Sequence, residues 1–257
     1  MAQLQNRSLF SMLAICCSIS TWALADEFRI DTMVFADESP DAICKTVTLV
    51  TDNLIYDHLT DDRDEVTIVD PARRMLILLD LSRQLRCELS FEEVAQFVRE
   101  ATSAAQSSPE FVRFAAQPRF DTHDDHNGTV LQLTGTSLNY RVETHRAPND
   151  RVLQQLKDFM DWSARMNTLR PGLPPAARLE LNQKLRQRKR IPTVVSCTII
   201  LGPTERKQLT SRHEYSWQLA PSDRAQLARY DRFIHEFRQV DPQTILFPAG
   251  SAMVDTE

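Results

Sequence analysis

Glycine is scarce in this chain. Only five occur, Gly128, Gly135, Gly172, Gly202 and Gly250, and none stands in a G-x-G-x-x-G or P-loop arrangement. Phosphate cradles need several close backbone approaches, so nucleotide chemistry of those kinds is disfavoured. Cysteine is scarce as well, at five residues with no C-x-x-C pair. Cys16 and Cys17 fall in the N-terminal leader described below. The odd number left, Cys44, Cys87 and Cys197, allows at most one internal disulfide, and small half-buried sheet residues are a better reading than a disulfide framework. His58, His145, His213 and His235 lie in no HExxH or nucleophile motif. An excess of positive charge is also missing. The net charge is −5, one unit more negative without Arg7, and an acidic exported chain is a poor candidate for nucleic acid. No cofactor is expected.

The longest apolar run is short. Arg7 precedes Leu9–Ile19, followed by Ala23-Leu24-Ala25. A charged n-region, an h-region and a small-x-small site read as a signal peptide over residues 1–25, cleaved after Ala25. A spanning helix needs ~20 apolar residues, so an uncleaved anchor is the lesser alternative and lipidation near Cys16 a third. The expected product is exported to the periplasm or cell envelope. It comprises one domain over 26–240 and a flexible tail over 241–257.

What is present is strand and turn chemistry around residues 54–105. Glu65–Val69, Met75–Asp80 and Leu85–Leu89 are spaced about ten residues apart, the signature of an antiparallel meander. Pro71 presets φ in the first turn, and Asp70 can hydrogen-bond the backbone two residues on. Ser90-Phe91-Glu92-Glu93 forms a capping box, after which Phe91, Val94, Val98, Ala101 and Ala105 recur at helical spacing. Upstream, strands are expected over Phe28–Ala36, Ile43–Thr51 and Leu54–Leu59. Downstream, weak strands are read at Phe111–Ala115 and Arg119–Thr122, with a hairpin at Asn127-Gly128 and a half-buried strand around Leu138, Tyr140 and Val142. Two helices follow, about Asp150–Leu169 and Ala176–Arg188. A hairpin of Pro192–Leu201 with Gln208–Leu219 and an amphipathic helix over Ser222–Val240 complete the pattern. The fold class is α+β: a curved antiparallel sheet, an unclosed half-barrel, with helices covering one face.

A meander with an inserted helix, carried here by Ile55-Tyr56-Asp57, Glu65–Pro71 and Leu78-Leu79-Asp80, resembles the LolA-like periplasmic lipoprotein carriers and the related sensor domain of RseB. It also looks like an uncharacterised group of exported bacterial proteins. The resemblance covers residues 28–145 and departs at the long helical pair. It implies an unclosed barrel and an apolar cavity, and transfers no functional residue.

In Met75–Asp80, Met75, Ile77 and Leu79 occupy one face and Leu76 and Leu78 the other, so both faces need cover. The helix after Ser90 should supply one side. The other falls to distant helices or to a bound ligand. His213, Tyr215 and Trp217 share one face of a strand, a polar aromatic stripe that lines either a ligand groove or a core wall. Leu76, Leu78, His213, Tyr215 and Trp217 are therefore the candidate ligand-binding residues, for a lipid or acyl chain. Asp121-Thr122-His123-Asp124-Asp125-His126 is the densest set of potential metal ligands. Strand alternation, however, puts His123 and His126 on opposite faces at a hairpin where polar residues belong anyway. Lys184, Arg186, Arg188, Lys189 and Arg190 complement a helix C-terminus or meet an anionic surface or acidic partner. The leading expectation is an exported, non-enzymatic binding protein. The alternatives are an envelope interaction protein without a cavity and a metal-dependent hydrolase centred on His123 and His126.

Overall fold

The computed structural model describes residues 27–60, 64–170 and 172–247. The leader and its cleavage site lie outside them, as do residues 61–63, 171 and 248–257.

Strands β1 (Phe28–Ala36), β2 (Ala42–Val50), β3 (Ile55–Leu59), β4 (Glu65–Asp70), β5 (Met75–Asp80) and β6 (Leu85–Ser90) form a meander that runs into helix α1 (Phe91–Ala104). Helix α2 (Glu110–Ala116) and strands β7 (Asp121–Asp124), β8 (Val130–Thr134) and β9 (Leu138–Arg146) follow, then helices α3 (Asp150–Leu169) and α4 (Ala176–Gln187). Strands β10 (Arg190–Ile200) and β11 (Arg206–Ser216), helix α5 (Pro221–Glu236), strand β12 (Arg238–Gln239) and helix α6 (Pro242–Leu246) complete the order. The strands make one twelve-stranded sheet, β12-β6-β5-β4-β3-β2-β1-β11-β10-β9-β8-β7. Its two ends are not paired with each other, so the sheet is an unclosed half-barrel. All ladders are antiparallel except the two-residue β12–β6 pair. The first and last long strands, β1 and β11, pair from Arg29↔Ser216 to Ala36↔Leu209 and join the two blocks of strands.

Local chemistry sets the turns. Asp70 Oδ1 accepts from the Arg73 N–H at 3.0 Å and Asp80 Oδ1 from the Arg83 N–H at 2.7 Å. The Asp70 acceptance reaches three residues on, one further than the sequence suggested, and Asp80 repeats it in the next turn. Each turn then closes through a left-handed residue, Arg74 and Gln84, both at φ 54°. The capping box forms as expected: Ser90 Oγ accepts from Glu93 N–H at 3.1 Å, and Glu93 Oε2 accepts from Ser90 N–H at 2.6 Å.

Three apolar clusters hold the fold. In the first, one face of β1–β6 packs beneath α1 and α3, with Ile191 of β10 reaching the same cluster. A single helix in contact with both β1–β6 and β10 requires the sheet to curve around it, and this defines the inner face. In the second, α4 (Ala177, Leu181, Leu185) and Ala115 of α2 cover the inner face of β8–β10. In the third, α5 lies on the outer face over Leu49, Tyr56, Val66, Ile68, Ile77 and Leu79.

Several expectations are revised. Phe111–Ala115 belongs to helix α2, not a strand; Pro109 occupies its N-cap position, where a fixed φ suits helix entry. The following strand starts at Asp121, two residues later than read. Helical cover is on both faces, because the doubly apolar β5 receives α1 and α3 on one side and the distant α5 on the other. The chain keeps regular structure past residue 240, where β12 covers the β6 edge and Ile245 of α6 is 1% exposed. A five-residue helix is too short to show periodicity, which is why this segment read as a tail.

Candidate functional site

Strand register lays out the inner face row by row. The first row, Phe28, Val50, Ile55, Val69, Leu76 and Leu89, is wholly apolar and buried. In the second, Tyr215, Ile30, Thr48, Asp57, Thr67 and Leu78 lie side by side from β11 to β5. The third begins His213, Thr32, Thr46, and the fourth Ser211, Val34, Cys44. Helices α1 and α3 fill the first row and the β5 end of the second. Toward β11, β1 and β2 the cover gives out. Thr32, Val34, Cys44, Thr46, Ser211 and His213 are only half-buried, Leu209 is 38% exposed, and Val34, Cys44 and Leu209 belong to none of the three apolar clusters. An open seat therefore lies between the part of the inner face under α1 and α3 and the part under α4.

The polar groups of this seat are paired with one another. His213 Nδ1 and Thr32 Oγ1 are 3.0 Å apart, and His213 Nε2 and Ser211 Oγ 3.2 Å. Burial, helped by the positive charge of Arg178 on α4, pushes the His213 pKa down to about 3, so the ring is neutral. The Tyr215 hydroxyl donates to the Pro192 carbonyl at 2.6 Å, and burial raises its pKa. Tyr215 stacks on Trp217 with centroids 5.3 Å apart, and Trp217 meets Phe28 at 5.6 Å. At the other end, burial pushes the Asp57 carboxyl up to about 6, against the pull of the Thr48 hydroxyl, which donates to it at 2.7 Å, and of the Arg170 guanidinium. Arg170 itself pairs with Glu65.

The candidate residues divide accordingly. Tyr215 and His213 line the open seat, and Trp217 (43% exposed) stands at its rim. Leu76 and Leu78, at 0% and 2% exposure, lie sealed under α1 and α3 four strands away from β1. The sequence missed Asp57, Thr32, Thr46, Ser211 and Arg178. Alternation shows which residues of one strand share a face, but the row that unites them exists only through the β1–β11 pairing.

The other clusters are engaged elsewhere. Arg188 grips Asp124 through two hydrogen bonds of 2.7 Å, which hold the Asp124 carboxyl below the usual carboxylate range. Asp125 accepts from Thr129 Oγ1 at 2.8 Å and Val130 N–H at 2.9 Å, closing the hairpin turn with Gly128 at φ 63°. Among the described residues no group of three His, Cys, Asp or Glu side chains is gathered as a metal site. In the basic run, Lys189 pairs with Asp150 at 3.0 Å and Arg186 Nε donates to Gln154 at 3.0 Å. Arg188 and Lys189 thus answer acidic groups of this chain. On the outer face, His58 bridges Asp64 at 2.7 Å and the Tyr230 hydroxyl at 2.9 Å, tying β3 to α5. Burial raises the Tyr230 pKa to about 12. No disulfide joins Cys44, Cys87 and Cys197.

Among the described residues no helix is long and apolar enough to cross a membrane. The chain is similar to a LolA superfamily protein from Nitrosomonas europaea, whose crystal structure aligns at 11% identity over 77% of this chain and 89% of that one, with a TM-score of 0.29. No family model and no curated protein matches the sequence.

Proposed function

We propose that this is an exported, non-enzymatic binding protein that holds an apolar chain, a lipid or acyl group, in the open seat on the inner face of β11, β1 and β2. One observation carries the reading. A curved sheet with helices on both sides leaves Leu209 exposed and Val34 and Cys44 half-buried on its inner surface, between two parts of that surface that are filled. Partly covered apolar groups with a few fixed polar groups beside them are the ordinary make-up of a small-molecule site. Export rests on the leader reading of residues 1–25, with mature protein beginning at Asp26. The test is an inventory by mass spectrometry of lipids co-purifying with natively exported protein, followed by titration of the delipidated protein with a neutral polarity-sensitive dye. Saturable binding of one equivalent supports the reading, and no lipid with no dye binding overturns it.

The complete packing of β4–β6, with Leu76 and Leu78 sealed beneath α1 and α3 and with α5 behind them, favours a second reading: an envelope interaction protein with no ligand. The same titration separates the two.

A further inference from the structure

Helix α4 begins at Ala176, and its first turn carries Arg178 beside the open seat. The positive charge of Arg178 is felt by four inner-face side chains on three strands, Tyr140, Cys197, His213 and Tyr215. Helical spacing puts Arg178 on the same stripe of α4 as the buried Leu181, Asn182 and Leu185, the side that packs on β8–β10, so its half-buried side chain lies toward the sheet beside β11. Among the described residues it has no carboxylate within ion-pair distance and no hydrogen-bond acceptor. The contrast with its neighbours is clear: Arg170 holds Glu65, Arg188 holds Asp124, and Arg29 holds Asp31 and Asp223. The carboxylates nearest the seat in the register rows are elsewhere occupied or distant. Asp57 stands three strands from Tyr215, about 14 Å at ~4.8 Å per strand, and accepts from Thr48.

A half-buried cation without a counter-charge loses hydration and recovers nothing in return. Here it borders an apolar surface, and whichever of the Thr32 and Ser211 hydroxyls accepts the His213 N–H keeps its own O–H to donate to a second polar atom. Resting on the carrier reading above, we propose that the seat takes an anionic single-chain amphiphile of the fatty-acid class. Its carboxylate is held by Arg178 near His213, and its chain lies along Leu209, Val34 and Cys44. Charge complementarity selects the head, since a guanidinium offers a planar fork of donors that matches a carboxylate. Leu209, Val34 and Cys44 stand on the adjacent strands β11, β1 and β2, ~10 Å from first to last, a strip that suits an extended chain.

The test uses the delipidated full-length exported protein carrying a neutral dye, displaced in turn by dodecanoate, dodecanol, dodecyltrimethylammonium and butyrate at one ionic strength. In the wild type dodecanoate should displace the dye about tenfold more tightly than dodecanol, a difference typical of one charge-assisted contact, and the cationic amphiphile should be weakest. Arg178→Gln should bring dodecanoate down to the alcohol and leave the alcohol unchanged, while Arg178→Lys should keep part of the preference. Equal affinities for dodecanoate and dodecanol in the wild type, or a preference that survives Arg178→Gln, would overturn the assignment while leaving the carrier reading intact. Butyrate competing as well as dodecanoate would reduce the site to a plain anion site and overturn it too. If no amphiphile and no dye binds, the carrier reading itself fails. The order of the four ligands on wild-type protein decides the question even if the Arg178 variants fail to fold.

Discussion

Replacing Leu78 with Ala distinguishes the filled part of the inner face from the open part. Leu78 is 2% exposed, lies between Thr67 and Cys87 in its row, and belongs to the cluster beneath α1 and α3. Truncation removes three carbon groups, about 2.4 kcal/mol of transfer free energy at ~0.8 kcal/mol each. The surrounding side chains come from a sheet and two helices that cannot all close in, so the residual cavity lifts the total toward ~3–4 kcal/mol. Leu209, 38% exposed, should lose under ~1 kcal/mol on the same truncation. Urea denaturation monitored by circular dichroism reads both midpoints, with unchanged slopes confirming a native-like reference. On the binding side the order reverses: Leu209→Ala should weaken dye uptake and Leu78→Ala should leave it unaltered. A Leu78→Ala cost under ~1.5 kcal/mol would show that the α1–α3 side is already unpacked, and would refute the division of the inner face into sealed and open parts.

Further outcomes follow from the same geometry. Asp57 has a folded pKa raised to about 6 from 3.8, so the folded state holds its proton more firmly, and this stabilisation is lost as pH rises from ~4 to ~6; Asp57→Asn should therefore stabilise the protein by up to about 3 kcal/mol at pH 7.5 and by almost nothing at pH 4, read from urea midpoints. His213 acts with the opposite sign: its folded pKa is lowered to about 3 from 6.5, so its contribution is present above ~6.5 and is lost as pH falls toward 3, and His213→Gln should flatten that acid limb of the stability profile. Ser90→Ala removes one half of the capping box and should cost ~1 kcal/mol in the same assay. Replacing both His123 and His126 by Ala should change stability by less than ~0.5 kcal/mol, and one equivalent of zinc lost with them, found by elemental analysis, would revive the hydrolase alternative.

Period and punctuation made much of this architecture legible. The meander, the Asp70 turn, the capping box and the limits of the Asp150 helix all depend on residues within one turn or one strand of each other, and local chemistry decides them. Phe111–Ala115 misled because a seven-residue helix carries too few periods to separate it from a strand. The α6 segment misled for the same reason. The site was legible only in part. His213 and Tyr215 could be assigned a common face from alternation within one strand, and they do share it. That Tyr215 shares a row with Asp57 depends on the β1–β11 ladder, a pairing between residues nearly two hundred positions apart that no local pattern encodes. Leu76 and Leu78 looked ligand-facing because one strand was apolar on both sides. Two covers were needed, and α1 with α3 on one side and α5 on the other supply them. Arg178 carried no signal at all, since an arginine in a helix of mixed charge is noticed only when its missing partner is seen in three dimensions.

Photolabelling tests the central claim most directly. A fatty acid bearing a diazirine near the middle of its chain, activated in the complex with delipidated protein and located by peptide mass spectrometry, reports which surface the chain touches. Adducts should concentrate on the inner-face residues of β1, β2 and β11, at Val34, Cys44 and Leu209, and disappear when unlabelled dodecanoate is added. Labelling confined to the outer face, or spread without saturation over exposed side chains such as Ile43, would contradict the account.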